Sequence, residues 1–444
     1  WALRAWVVDT VTGDTTTLAT AGARVDSADV VALRAVFVAG ARGPALQVFG
    51  GEQVTIVEGD YSGAQPIDPA APLTPGDPDD YAVSMDLPGS ATVRLDSTRI
   101  HDNTGFGLLV TGPLSVTMRG TTVERSFGAL GLAVVKFSGV GAVTIAQSSF
   151  LQNGYGEVLI EDTPGFGVTA SVDTSTFDDT NLKVFGYGSF AMRGGQVLDG
   201  YNAAVDVDST DVVSLVGTEI ASTQVGEGPP TPTSGGPWAV TVAAADSLRA
   251  DSLWIHDNLA GALGVLNVTA VSAYGNLIEA NALAYSLYEV KLFQTQRARI
   301  AQSVIDDRAG FAYRSVDVVY GLAGGASVVV DTSTFLGGPS YGVYAGGSGA
   351  GYNDTLVVRG SRMQPGDGIS QAYTSVFASS VGHVAAVGNT LDSATLGVYA
   401  QYSNTAEVRD NVIRYVQYGA YVYSAPQGDT VSGNTIECQP SNNS

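Results

Sequence analysis

The chain has 444 residues, with 43 Asp and Glu against 21 Lys and Arg, for a formal net charge of -22. That balance opposes a phosphate backbone, so no nucleic-acid partner is expected, and no apolar run approaches the roughly 18 residues of a membrane span. With 55 Gly, abundant Ala, Val, Thr and Ser, and only 14% charged residues, the composition suits short strands and tight turns. Cys438 is the one cysteine, so no internal disulfide forms and cysteine usage says little about compartment.

The first residues, WALRAWVV, match VALRAVFV at 31–38, so the sequence starts inside a repeat. The expectation is a piece of a longer bacterial chain whose signal peptide and cap lie upstream. The fullest copy of the repeat is VRLDSTRIHDNTGFG at 93–107, returned as LRADSLWIHDNLAG at 248–261. Looser copies are VTIAQSSFLQN at 143–153, ARIAQSVIDDR at 298–308, VVVDTSTFLGG at 328–338 and AEVRDNVIRYV at 406–416. Each has two alternating apolar residues, a small polar corner and one large apolar anchor. The anchors run from Val7, Phe37 and Tyr61 through Phe150, Phe177, Ile255, Ile305 and Phe335 to Ile413 and Ile436. Their spacing of about 22–30 residues belongs to repeat architectures.

A length that would suggest several globular domains is therefore read as one body, 1–444. Each repeat divides into three strands: one before the anchor, a very short one carrying it, and a third opening with Gly and an aromatic or aliphatic residue, as in GFGLLV and YGAYVY. Asn276, Asn389, Asn411 and Asn434 stand two residues ahead of their anchors, where stacked amides can bond from coil to coil.

These coils resemble right-handed parallel β-helix proteins, the pectate-lyase-like group of lyases, polygalacturonases, tailspikes and surface adhesins. The resemblance covers essentially the whole chain and implies an all-β, single-stranded right-handed parallel β-helix, or β-solenoid, of about 17 coils. It is specific for the fold and nearly silent about activity.

Two Pro- and Gly-rich insertions, at about 62–80 and 221–237, enter at the turn after the anchor and should wall an open floor on the third strands. On that floor the outward phase carries Glu157, Glu161, Lys183, Asp206 and Asp208 on successive coils. If the protein is an enzyme, Lys183, Glu161, Asp206 and Asp208 are the catalytic candidates. A lysine flanked by carboxylates has an adjustable basicity, and paired carboxylates serve glycoside hydrolysis. The same charges equally read as a solubilising ladder. Asp178, Asp179 and Asp199 in the adjoining turn are candidate ligands for Ca2+; no other cofactor is expected. The duplicated IHDN turns, with His101 and His256, read as acid–base or metal groups, or as structural repeats.

The resemblance also supplies tests. A polygalacturonase-like site implies Asn-Thr-Asp, paired Asp, His-Gly and Arg-x-Lys; only paired Asp occurs, at Asp178-Asp179 and Asp306-Asp307. An alginate-lyase-like pair finds Lys183 without an Arg partner.

The last third differs. Twelve of the 20 tyrosines follow Arg308. Tyr344, Tyr373, Tyr399 and Tyr421 are assigned to the outward phase of the third strand, with Gln371, Gln401 and Tyr423 beside them, and the five tyrosines are the candidate ligand-binding residues. Stacked outward rings can face sugars or another chain, or pack only on each other. The leading expectation is an extracellular or surface-displayed protein that binds a polysaccharide, a cell-surface glycan or another surface partner. A polysaccharide lyase or glycoside hydrolase and a structural rod or filament subunit associating end to end or side by side are the alternatives.

Overall fold

The computed structural model describes residues 22–26, 28–66, 72–126, 132–162, 168–225, 238–281, 288–308, 313–321, 325–337, 340–347, 353–364, 373–392, 395–423 and 425–438. The fold is an all-β parallel β-solenoid of about 14 turns. Two compact units divide the chain, Trp1–Val212 and Val213–Ser444.

In the first unit a representative coil is built from Thr92–Asp96, Arg99–His101 and Phe106–Thr111. Each strand pairs in parallel with its counterpart one coil on: Val93 with Val116, Ile100 with Val123, Leu108 with Val135. Alternation along each strand sends every second side chain inward, and exact register stacks like on like. Leu108, Val135, Val158, Leu182 and Val205 form one such column, and all are fully buried. The anchors form another, in which the Phe150 and Phe177 rings stack at 4.9 Å and 14°. The second unit repeats the plan, with Leu263, Val290, Val316, Val343, Val376 and Val398 in register.

Left-handed backbone turns the corners. Ser97, Gln147 and Thr174 (φ 50°, 51° and 45°) follow the first strand, and Asp102, Arg125 and Asp257 (φ 54°, 45° and 54°) follow the anchor strand. A non-glycine residue there costs roughly 1–2 kcal/mol, least for Asp and Asn, and the stacked hydrogen bonds of the coil offset it. The polar corner supplies those bonds. In the second unit each backbone N–H at the corner donates to the side-chain oxygen one coil on, from Asn276 to Ser303 (3.3 Å), Ser333, Ser361, Asn389, Asn411 and Asn434 (2.9 Å for the last three steps).

Four expectations change. Phe37 is 55% exposed; its neighbour Val38 pairs with Tyr61 and takes the inward place, a slip of one residue that exchanges the faces. Ile436 keeps register with Ile413 but is 44% exposed, and Val7 lies outside the described residues. The anchors from Tyr61 to Ile413 close about 14 turns, not about 17. Lastly, the described part of the first insertion does not stand up as a wall. Asp79 accepts a bond from Gln47 Nε2 at 2.9 Å, and Leu73 packs on Tyr81, Phe106 and Leu109, so residues 72–80 lie over the third strands. Most of the second insertion, 226–237, lies outside the described residues.

Candidate functional site

The outward column of the third strand in the second unit runs Lys291, Asp317, Tyr344, Phe377, Tyr399, Tyr421, one residue per coil in unbroken register. Parallel pairing spaces these rungs by roughly 4.8 Å, which is ring-contact distance. Tyr344 and Phe377 stack at 4.8 Å and 6°, Phe377 meets Tyr399 edge-on at 5.1 Å, and Tyr399 meets Tyr421 the same way at 5.1 Å. Tyr341 packs its edge on both Tyr344 and Phe377, and Tyr313 continues from Tyr341 at 5.4 Å. Two residues along, Tyr423 touches Tyr402 at 5.4 Å, and both are exposed.

The strip begins at a cation. The Arg314 guanidinium lies 3.4 Å from the Tyr344 ring centroid, and its Nη1 donates to Asp317 Oδ1 at 2.5 Å. Lys291 lies over the Tyr288 ring at 4.8 Å. Burial pushes the Lys291 ammonium below its usual range and the Asp317 carboxyl above its own, with Arg314 pulling Asp317 back. Such cation–π contacts each contribute on the order of 0.5–2 kcal/mol and hold the first ring in place.

Of the residues expected in this strip, Tyr344, Tyr399 and Tyr421 are on it and Tyr423 is beside it. Tyr373 is not: it precedes the strand Thr374–Ser379, is 1% exposed, and its hydroxyl has no hydrogen-bond partner among the described residues. The rung in its coil is Phe377, which alternation alone would have found, because TSVFAS is in phase with YGVYAG. Gln371 lies outside the described residues; Gln401 accepts from the Tyr399 hydroxyl at 2.9 Å. Arg314, Tyr341 and Tyr313 carry no local signal of their place.

In the first unit the charged residues sit on the third strand in the expected outward phase, but they divide into separate pairs. Lys183 stands between Leu159 and Asp206, with its Nζ 3.9 Å from Asp206 Oδ2. Glu161 is held elsewhere: Lys136 Nζ is 2.8 Å from its Oε1, and the Ser138 hydroxyl donates to the same oxygen at 2.9 Å. Asp208 accepts from the Ser209 hydroxyl at 3.1 Å. Burial raises the Glu157 and Asp206 carboxyls above the usual range while the Lys183 charge draws both down. This can move a proton, but three rungs of paired charge also describe an ordinary surface ladder.

The turn grid is more fully committed. His101 Nδ1 is 2.6 Å from Asp102 Oδ2 and its Nε2 is 2.9 Å from Asp60 Oδ1; Arg125 donates to Asp102 at 2.6 Å and holds that carboxyl far below its usual range. His256 repeats the arrangement with Asp257 at 2.8 Å and Glu219 at 3.2 Å, under a Trp254 ring 4.1 Å away. In both copies the Asp takes the left-handed corner and the Asn enters a buried ladder, as when Asn258 Nδ2 donates to Asn281 Oδ1 at 2.7 Å. The same corner is turned in left-handed backbone by Arg125, Gln152 and Ala280 in other coils, so the conformation does not by itself require IHDN. Asp178 and Asp179 are raised by burial and by the charge of Asp199, and Asp179 accepts from the Gly154 N–H. Among the described residues, no group of three or more His, Cys, Asp or Glu is gathered to hold a metal ion. No helix among them is long and apolar enough to cross a membrane.

The chain matches no protein-family model, no curated protein and no solved structure.

Proposed function

We propose that the second unit binds a chain-like carbohydrate along Tyr344, Phe377, Tyr399 and Tyr421, as a recognition surface of a cell-surface or secreted protein. The observation that carries this reading is the unbroken run of four rings on consecutive coils, ending at Tyr421, which is 44% exposed. Sugar rings offer apolar C–H faces with polar edges, and a row of aromatic rings meets successive sugars of a polymer. Four contacts in series give avidity without any one being indispensable. The polar neighbours Gln401 and Ser379, joined at 3.1 Å, line the same face and can bond to hydroxyl groups.

The test is a glycan array probed with the wild type and with a triple variant, Tyr344→Ala, Tyr399→Ala and Tyr421→Ala. Because the rings lie outside the core, the triple variant keeps its β-sheet circular dichroism and loses nearly all binding. A folded triple variant that binds like the wild type would refute the proposal.

A further inference from the structure

Two columns inside the second unit break their own rule at the same place. The first is the inward position that opens the third strand: Ala239, Ala262, Glu289, Ser315, Gly342, Ser375, each fixed by the paired residues on either side. It takes small residues because the anchor lies against it; further along the same column, a Cβ added to Gly419 would meet Ile436 at 2.6 Å. Glu289 is the exception, and it is 0% exposed. The second column is the polar rung after the anchor, Thr223, Asn258, Asn281 and then Asp307. An amide there donates and accepts along the ladder, whereas a carboxylate only accepts. The two exceptions fall on neighbouring coils and are both buried, the Asp307 carboxyl and the Asn281 amide both act on the Glu289 carboxyl, and among the described residues neither Glu289 oxygen has a well-formed hydrogen bond.

We propose that Glu289 and Asp307 form a buried carboxyl pair sharing one proton, which makes the second unit firmest in mild acid and looser as pH rises. Two adjacent carboxylates cannot both ionise out of water, so one proton stays when the fold closes over them. Among the described residues, no cation pairs with the Glu289 carboxyl. On the Glu289 strand, Lys291 faces the outer rings; on the next, Arg314 and Asp317 pair with each other on that outer side. Asp306 pairs with Arg308, Glu279 accepts from Trp254 Nε1, and Gly261–Leu266 carries no titratable group. Of the polar groups nearby, the Tyr373 hydroxyl is buried and uncharged. Burial first, then the Asp307 charge, pushes the Glu289 carboxyl well above the ordinary range.

The sign follows. The folded state holds a proton that the unfolded chain releases above about pH 4–5, so the folded state binds more protons and stability falls as pH rises from there. The experiment is thermal melting of the full chain from about pH 5 to pH 8, comparing wild type, Glu289→Gln and Asp307→Asn. Asp307→Asn continues the Asn258–Asn281 ladder and is the variant best placed to fold. The wild-type midpoint should fall about 1–3 °C per pH unit more steeply than that of Glu289→Gln, whereas Asp307→Asn, which keeps the buried Glu289 but removes the second charge, should fall less steeply than the wild type and more steeply than Glu289→Gln. Glu289→Gln should match or exceed the wild type at the alkaline end. Parallel profiles for the wild type and Glu289→Gln would overturn the proposal, as would an Asp307→Asn profile parallel to that of the wild type or the failure of both variants to fold.

Discussion

Tyr373 and Phe377 are four residues apart and have opposite fates. Tyr373 buries its ring and leaves a hydroxyl without a hydrogen-bond partner among the described residues, a group whose removal recovers its desolvation cost. Tyr373→Phe should therefore be neutral or stabilising by up to about 1 kcal/mol in urea unfolding, and should leave glycan binding unchanged. Phe377 is sandwiched between Tyr344 and Tyr399 on the outer face. Phe377→Ala should weaken glycan binding about fivefold, on the order of 1 kcal/mol for one ring contact, as measured by calorimetric titration. The position of Phe377 was legible in the strand alternation, but residue type misleads where phase does not: the ladder is a column of rings, not of tyrosines. Glu289 and Asp307 were not legible, because their meeting depends on two columns that are adjacent only once the coil closes.

At the scale of the element, the coil rests on two kinds of stack. The apolar stack is exemplified by Phe177, fully buried against Phe150; Phe177→Ala should cost about 3–5 kcal/mol in urea unfolding. The polar stack is exemplified by Asn411, whose Oδ1 accepts from both the backbone N–H and the Nδ2 of Asn389 at 2.9 Å, while its own Nδ2 donates to the Ala386 carbonyl at 2.8 Å. Asn411→Ala strands those buried groups and should cost about 1–3 kcal/mol by the same measurement, whereas a surface substitution such as Arg409→Ala should change little. Both stacks could be read from the sequence, since anchor spacing and corner Asn are local patterns that the fold repeats. Loop conformation is not local in this sense. The first insertion has the Pro and Gly of an exposed loop, yet Leu73 and Asp79 tie it down onto the third strands, and no periodicity announces those contacts.

For the whole molecule, net charge and proposed function point in different directions, and that gives a test. With a formal charge of -22 the protein repels polyanions at low ionic strength. The rings from Tyr344 to Tyr421 carry no charge, so binding through them should change less than about twofold when salt is raised through the range that screens surface electrostatics. A strong loss with salt would instead indicate an ion-pairing site. The solenoid itself was legible because one template fills the chain; its ligand was not, since the same scaffold accepts many side-chain programmes on its faces. The most direct test of the central claim, that the strip reads a chain, is affinity against oligosaccharide length for the best array ligand, measured by calorimetry on the wild type. Affinity should climb with each added sugar and level off once the rings are covered, with an earlier plateau for Tyr421→Ala. Affinity independent of length, or a length dependence untouched by Tyr421→Ala, would contradict it.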